Sequence, residues 1–121
     1  MKRLCLALLF GLFAVPALAG EVTVVDAKAR ASGKDTFYFT VTLRHGDTGW
    51  KHYADNWEVL GPDGKLLGRR VLLHPHENEQ PFTRSLSGVK IPAGIKQVTI
   101  RGHDKVHKYG GKELVINLPG R

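Results

Sequence analysis

The chain has 121 residues, of which 42% are apolar and 8% aromatic, and its 18 basic and 11 acidic side chains give a formal net charge of +7. This is the composition of one globular domain, and it excludes a disordered tail, a repeat array and a two-domain protein. The only long apolar run ends after roughly 16 residues, short of the ~20 that a membrane-spanning helix needs.

Residues 1–19 have the three parts of a secretory signal peptide. Lys2 and Arg3 form the charged start, residues 4–15 form the apolar core, and residues 17–19, Ala-Leu-Ala, form a cleavage site of small side chains. A buried N-terminal helix is the alternative, but the segment lacks the amphipathic pattern of such a helix. The sequence therefore predicts an exported protein.

Cys5 lies near the front of that segment, so it is not placed like the lipid-bearing cysteine of a lipoprotein. We expect residues 20–121 to form a single free domain, periplasmic or secreted, with no membrane span. These 102 residues include 16 basic and 11 acidic ones, and they contain no Cys and no Met. Their stability must come from a packed core rather than from disulfides. A thiol enzyme, a disulfide oxidoreductase and a sulfur-ligand Cu(I) carrier are excluded.

The domain is predicted to consist of strands and turns. Residues 36–44 give the clearest signal, because Phe37, Phe39, Val41 and Leu43 alternate with Thr, Tyr and Arg at a period of two. No segment shows the period of 3.6 that is typical of a helix. Seven strands are expected, at residues 22–30, 36–44, 56–60, 66–73, 82–89, 95–103 and 113–118.

Seven short strands with regular turn signals predict an all-β fold, an antiparallel seven-stranded sandwich of immunoglobulin or fibronectin type III character. A small closed barrel is the alternative. The domain lacks the Cys pair of antibody domains, which favours the fibronectin-like version. Trp57, in the third strand, is predicted to be the large aromatic side chain of the core between the sheets.

The six histidines are unevenly distributed along this pattern. Successive strands of an antiparallel sandwich reverse direction, so connections two apart in order lie at the same end. Tight turns form the first, third and fifth connections, whereas longer loops at residues 45–55, 74–81 and 103–111 form the others. All six histidines belong to those loops or to their junctions with strands: His45, His52, His74, His76, His103 and His107. We therefore expect them to gather at one end, where such folds place binding surfaces.

His74-Pro75-His76 is the sharpest local motif, because an extended backbone sends side chains two apart to the same side. Two or three imidazoles with a carboxylate suit Zn(II), Cu(II) or Ni(II), so the sequence favours binding of a divalent transition metal, Zn or Cu. The predicted ligands are His74, His76, His103 and His107, with His52 as a fifth candidate. Glu77, Glu79 or Asp104 would add an oxygen ligand or orient an imidazole.

The same loops allow other interpretations. His74 and His76 can instead cap strand ends or bond loop carbonyls, and the histidines can form a surface whose binding depends on pH. The loops also carry aromatic side chains. A second hypothesis is therefore an interaction module that contacts an envelope protein or a glycan through Trp50, Tyr53 and Tyr109.

Enzyme fingerprints are missing from the sequence. Ser85 and Ser87 are accompanied by His and Asp, but no G-x-S-x-G elbow is present, and neither is a phosphate-binding loop or a dinucleotide fingerprint. The positive charge is modest and interleaved with acidic residues, and export removes nucleic acid as the usual partner. We expect a non-catalytic binding protein that has no nucleic-acid partner.

Three segments carry a resemblance to known proteins: GWKHYADNWEVL, HPHENEQPFTRSLSGVKIP and RGHDKVHKYGG. Together with the leader they resemble an uncharacterised family of small exported bacterial proteins, over most of residues 45–119. The resemblance implies an exported sandwich-like domain and assigns no catalytic or ligand residue. In broad architecture the chain also resembles exported copper-binding β-sandwich proteins that use an N-terminal histidine. The expected mature terminus, Gly20-Glu21-Val22, lacks that histidine.

Overall fold

The computed structural model describes residues 20–121, and the predicted signal peptide at residues 1–19 lies outside this range. The described residues form no helix, and hence none that is long and apolar enough to cross a membrane. Seven strands are formed, as predicted: β1 (Thr23–Gly33), β2 (Thr36–Arg44), β3 (Ala54–Leu60), β4 (Leu66–Val71), β5 (Phe82–Lys90), β6 (Gln97–Asp104) and β7 (Leu114–Asn117).

The strands form two antiparallel sheets, one with the order β1-β2-β5 and the other with the order β4-β3-β6-β7. A two-residue turn at Lys34 and Asp35 joins β1 to β2, and Asp35 adopts a positive φ of 54°. Aspartate tolerates this left-handed conformation better than most residues, so the turn suits its sequence.

The core lies between the two sheets and follows the alternation of the strands. Phe37, Phe39, Val41 and Leu43 on β2 are all buried, as their period of two predicts. Trp57 is completely buried and is the largest side chain of the core, which confirms its predicted place. The three longer connections, residues 45–53, 72–81 and 105–113, meet at one end of the sandwich, which we call the loop end.

Glu58 is a buried carboxylate on the outer face of the four-stranded sheet, because Trp57 beside it points into the core. Arg69 and Arg101 lie directly opposite it on the two neighbouring strands. Arg69 Nε and Arg101 Nε donate hydrogen bonds to it at 2.9 and 2.8 Å, and Tyr109 Oη donates at 3.1 Å. Burial alone would raise the pKa of Glu58, but these hydrogen bonds outweigh burial and lower it.

Replacing Glu58 with Gln is expected to lower the free energy of unfolding by about 2 kcal/mol at neutral pH, because the amide has no charge to pair with the two arginines and can accept hydrogen bonds at only one of the two oxygen positions. Since folding lowers the pKa of Glu58, its contribution is complete above the ordinary glutamate pKa of 4.5 and is lost as the pH falls through the folded-state value. Urea denaturation from pH 7 to pH 3 measures this. The difference from wild type should shrink in acid, and a difference that is independent of pH would contradict the prediction.

Candidate metal centre

Three side chains from distant parts of the chain converge at the loop end. His45 directly follows β2, His52 lies in the loop before β3, and Asp104 ends β6. His45 Nε2 is 3.6 Å from Asp104 Oδ2, and His52 Nε2 is 3.3 Å from Asp104 Oδ1. One donor atom from each residue lies within 4.8 Å of the others, so the three could surround a single ion.

Strand alternation places two of these side chains inside the sandwich. On β2 the side chains of Val41 and Leu43 face the core, and His45, two residues further on, faces the same way. On β6 the side chain of Ile100 faces the core, and so does that of Asp104, four residues further on. The side chains of His45 and Asp104 are both fully buried. At the loop end the apolar core therefore gives way to buried polar atoms, and each of these atoms needs a hydrogen bond or an ion.

The converging atoms find no such partner among residues 20–121. His45 Nε2, His52 Nε2 and Asp104 Oδ2 are buried and accept or donate no hydrogen bond. Although only 3.3 Å separates His52 Nε2 from Asp104 Oδ1, the two groups are not aligned for a hydrogen bond. Leaving three buried polar atoms unpaired costs free energy at each of them, which a bound cation would offset.

Asp47 orients His45 from the opposite side of the ring. Its Oδ1 accepts hydrogen bonds from His45 Nδ1 at 2.5 Å and from the backbone amide of Ala54 at 3.0 Å, while Oδ2 accepts from the amide of His76 at 2.7 Å. Burial alone would raise the pKa of Asp47, but these hydrogen bonds outweigh burial and lower it, so the carboxylate stays ionised. Because His45 donates its Nδ1–H hydrogen bond to the Asp47 carboxylate, the lone pair of Nε2 points at the cluster.

A tight turn shapes the other side of the cluster. Asp104 Oδ1 accepts hydrogen bonds from the backbone amides of Val106 at 2.8 Å and His107 at 2.6 Å. The backbones of Asp104 and Lys108 bond to each other, and Lys108 adopts a positive φ of 62°, which folds the turn back. The turn commits Oδ1 to the backbone, leaves Oδ2 free, and brings His107 Nδ1 to 3.5 Å from Oδ1.

A second turn presents His52. The amide of His52 donates to the carbonyl of Gly49 at 3.1 Å, and the amide of Thr48 donates to the carbonyl of His52 at 3.0 Å. Gly49 has a φ of 136°, which favours glycine at this position. The turn directs His52 inward, whereas Trp50 at its tip is 65% exposed.

The predicted pair His74 and His76 lies together in the neighbouring loop, with ring centroids 4.5 Å apart. His76 stacks on Phe82 at 3.9 Å, and its Nε2 accepts a hydrogen bond from Arg84 at 2.8 Å. Burial, with a further effect from Arg84, lowers the pKa of His76. His76 also reaches the cluster indirectly, because its backbone amide bonds to Asp47.

The remaining predicted residues take separate places. The side chain of His103 faces away from the core on β6, and its Nδ1 forms a hydrogen bond with Asp55 at 2.5 Å. Glu79 pairs with Arg84 at 3.4 Å, and Glu77 is exposed. Of the predicted ligands, His52 and the oxygen donor Asp104 therefore lie in the cluster, and His107 lies beside it. His45 is not among the predicted ligands, although the inward phase of residues 37–45 signals its position.

The aromatic side chains of the second hypothesis differ in exposure. Trp50 is exposed and packs edge-on against Tyr53 at 5.6 Å, and Tyr53 itself is buried. Tyr109 is partly exposed and lies under the guanidinium of Arg101 at 3.7 Å. Trp50 is thus the aromatic side chain of this group most available to a partner.

Comparisons with known proteins identify one similar sequence. A protein of Halomicrobium mukohataei named "Putative lipoprotein" is 44% identical over 97 residues, which are 80% of this chain and 47% of that protein. The chain therefore spans about half the length of this curated relative. No family model matches the chain, and no solved structure matches it.

Proposed function

We propose that this domain is a non-catalytic binding protein for a divalent transition metal, with His45, His52 and Asp104 as the ligands. The observation that carries the proposal is the convergence of three buried donor atoms that have no hydrogen-bond partner in the described chain. Ligands of a tetrahedral zinc ion lie roughly 3.3 Å apart, since each is about 2.0 to 2.1 Å from the metal. The two imidazoles approach different oxygens of Asp104, with His52 Nε2 at 3.3 Å from Oδ1 and His45 Nε2 at 3.6 Å from Oδ2, so side-chain movements would bring a single carboxylate oxygen to this spacing from both.

Electrostatics also favour a cation at this position. Two carboxylates, Asp47 and Asp104, flank His45 from opposite sides, and all three side chains are fully buried. A doubly protonated His45 would supply one positive charge, but its Nε2 is 3.6 Å from Asp104 and too distant for a good hydrogen bond. A bound divalent ion would instead neutralise the carboxylate and satisfy both imidazoles at once.

The donor set points to zinc or copper(II). Two imidazoles and a carboxylate are ligands of borderline hardness, which suit Zn(II) and Cu(II). The sulfur ligands that select Cu(I) are absent from residues 20–121, because the only Cys and the only Met of the chain are Cys5 and Met1. Between the two ions, the Irving–Williams order favours Cu(II) in raw affinity, so availability would decide which one is bound.

The setting of the site is an exported sandwich of fibronectin type III character. In constant-type immunoglobulin domains the fourth strand joins the sheet of the first two, whereas here β4 pairs with β3, which favours the fibronectin version. Export to the periplasm or the medium is supported by the signal-peptide pattern of residues 1–19 and by the lipoprotein name of the relative.

Calorimetric titration of the purified protein with Zn(II) and Cu(II) tests the proposal. We expect one ion per chain with micromolar or tighter affinity, and a loss of at least about tenfold in His45→Ala and in His52→Ala. The matched control is the double variant His74→Ala/His76→Ala, which removes two imidazoles outside the cluster and should keep wild-type affinity. No binding heat in the wild-type protein would contradict the proposal, and loss in the control variant alone would move the site to His74 and His76.

A second candidate function is supported by the exposure of Trp50. An exposed tryptophan at the tip of a hydrogen-bonded turn is suited to anchor an envelope protein or a glycan. The two functions can be separated, because Trp50→Ala should leave metal binding unchanged while removing contact with such a partner. Tryptophan fluorescence during titration with envelope glycans measures that contact.

A further inference from the structure

We propose that His107 is the fourth ligand of this metal site and the residue through which the ion enters and leaves. The inference rests on the proposed function, because it assumes that His45, His52 and Asp104 bind the metal. It adds a ligand that lies outside the cluster of three and assigns that ligand a role in exchange.

Geometry brings His107 to the open side of the cluster. Its ring centroid is 5.0 Å from that of His52, and its Nδ1 is 3.5 Å from Asp104 Oδ1. The turn that bonds the His107 amide to Asp104 places its backbone beside the cluster, so coordination would proceed by rotation of the side chain. A metal bound by the other three residues would thus gain a fourth ligand without rearrangement of the fold.

The competing imidazoles are engaged elsewhere. His103 is adjacent to Asp104 in sequence, but it has the outward phase of β6 and bonds to Asp55. His76 accepts a hydrogen bond from Arg84 through Nε2. His107 accepts and donates no side-chain hydrogen bond within the described chain, so its ring is available to a metal.

Exposure of the four side chains increases from the core to the surface. Those of His45 and Asp104 are fully buried, that of His52 is 14% exposed, and that of His107 is 35% exposed. Rotation of His107 toward solvent would therefore open the site, while the three inner ligands stay in place. Four protein ligands would give a closed N3O site, and three would leave one position to water.

Cobalt(II) absorption spectroscopy and metal release to a chelator test this proposal in His107→Ala and His107→Gln. We expect both variants to bind one ion, with visible bands weaker than in wild type because water replaces an imidazole. Release of zinc to excess chelator should be at least about tenfold faster than from wild type. Excess imidazole should return the cobalt spectrum of His107→Ala toward that of wild type, which a purely structural role of His107 would not predict.

The matched control is His74→Ala, which removes another exposed loop histidine and should keep the wild-type spectrum and release rate. Circular dichroism verifies that each variant is folded. If the His107 variants match wild type in spectrum and release, the present inference is wrong while the three-ligand site stands. If wild type itself binds no cobalt or zinc, the proposed function fails and this inference fails with it.

Discussion

Replacing Asp47 with Asn is expected to lower the free energy of unfolding by about 3 kcal/mol and to weaken metal binding by at least roughly tenfold. The buried carboxylate accepts three hydrogen bonds, from His45, from the amide of Ala54 and from the amide of His76. The side-chain nitrogen of an asparagine cannot accept any of them, so at least one buried donor loses its partner. These donors belong to two of the three connections at the loop end and to the start of β3, which explains the large effect.

The proposed metal binding should weaken for a different reason, because a neutral amide in place of the Asp47 carboxylate would no longer fix the tautomer of His45. Urea denaturation in the presence of a chelator isolates the effect on folding, and calorimetry with zinc measures the effect on binding. The matched control is Asp63→Asn, since Asp63 is exposed and accepts only the amide of Lys65, at 3.0 Å. The control should change stability by less than about 1 kcal/mol. Equal effects of the two substitutions would show that Asp47 has no special role.

Replacing Gly111 with Ala should destabilise the protein by about 3 kcal/mol, because no room exists for the new methyl group. A Cβ atom at this position would lie 1.8 Å from the backbone oxygen of Val22 and 2.6 Å from its carbonyl carbon. Side-chain movement cannot relieve a contact with backbone. The segment is also tied down beside the clash, where the amide of Val24 donates to the carbonyl of Lys112 at 2.9 Å.

Thermal unfolding of Gly111→Ala measures this effect, and Gly94→Ala is its control. Both glycines lie in turns between strands, but a Cβ at Gly94 would meet no atom within 4 Å. The control should therefore be neutral or slightly stabilising, since alanine restricts the unfolded chain. Similar midpoints for the two variants would mean that the first residues of the domain shift freely, against the close packing described.

Most of the fold could be predicted because apolar and polar residues alternate along the strand segments of the sequence. The alternation of apolar residues over 36–44 and the turn residues between strands indicate how many strands form and approximately where they lie. Exact boundaries are harder to predict, as at β1, which continues three residues beyond the predicted end to Gly33. The sheet order depends on which strands pair side by side within each sheet, and local sequence patterns do not determine that pairing.

The cluster of His45, His52 and Asp104 was only partly predictable, since sequence motifs describe neighbours along the chain. Strand reversal correctly predicts that the histidine loops meet, but the conspicuous His74-Pro75-His76 motif lies beside the cluster instead of in it. Asp104 was predicted as an oxygen ligand, and His45 could have been found by continuing the buried alternation of β2 to the residue that follows Arg44. The roles of Asp47 and His107 depend on turn geometry, which the sequence alone does not specify.

The proposed ligands His45 and Asp104 lie at the ends of strands in opposite sheets, because His45 directly follows β2 and Asp104 is the last residue of β6. An ion between them would join the two layers of the sandwich much as an intersheet disulfide does in immunoglobulin domains. Chelators would then loosen this domain as reductants loosen a disulfide-bonded one, and its melting temperature would rise with the concentration of free metal. The lifetime of the folded protein would accordingly depend on the supply of that ion.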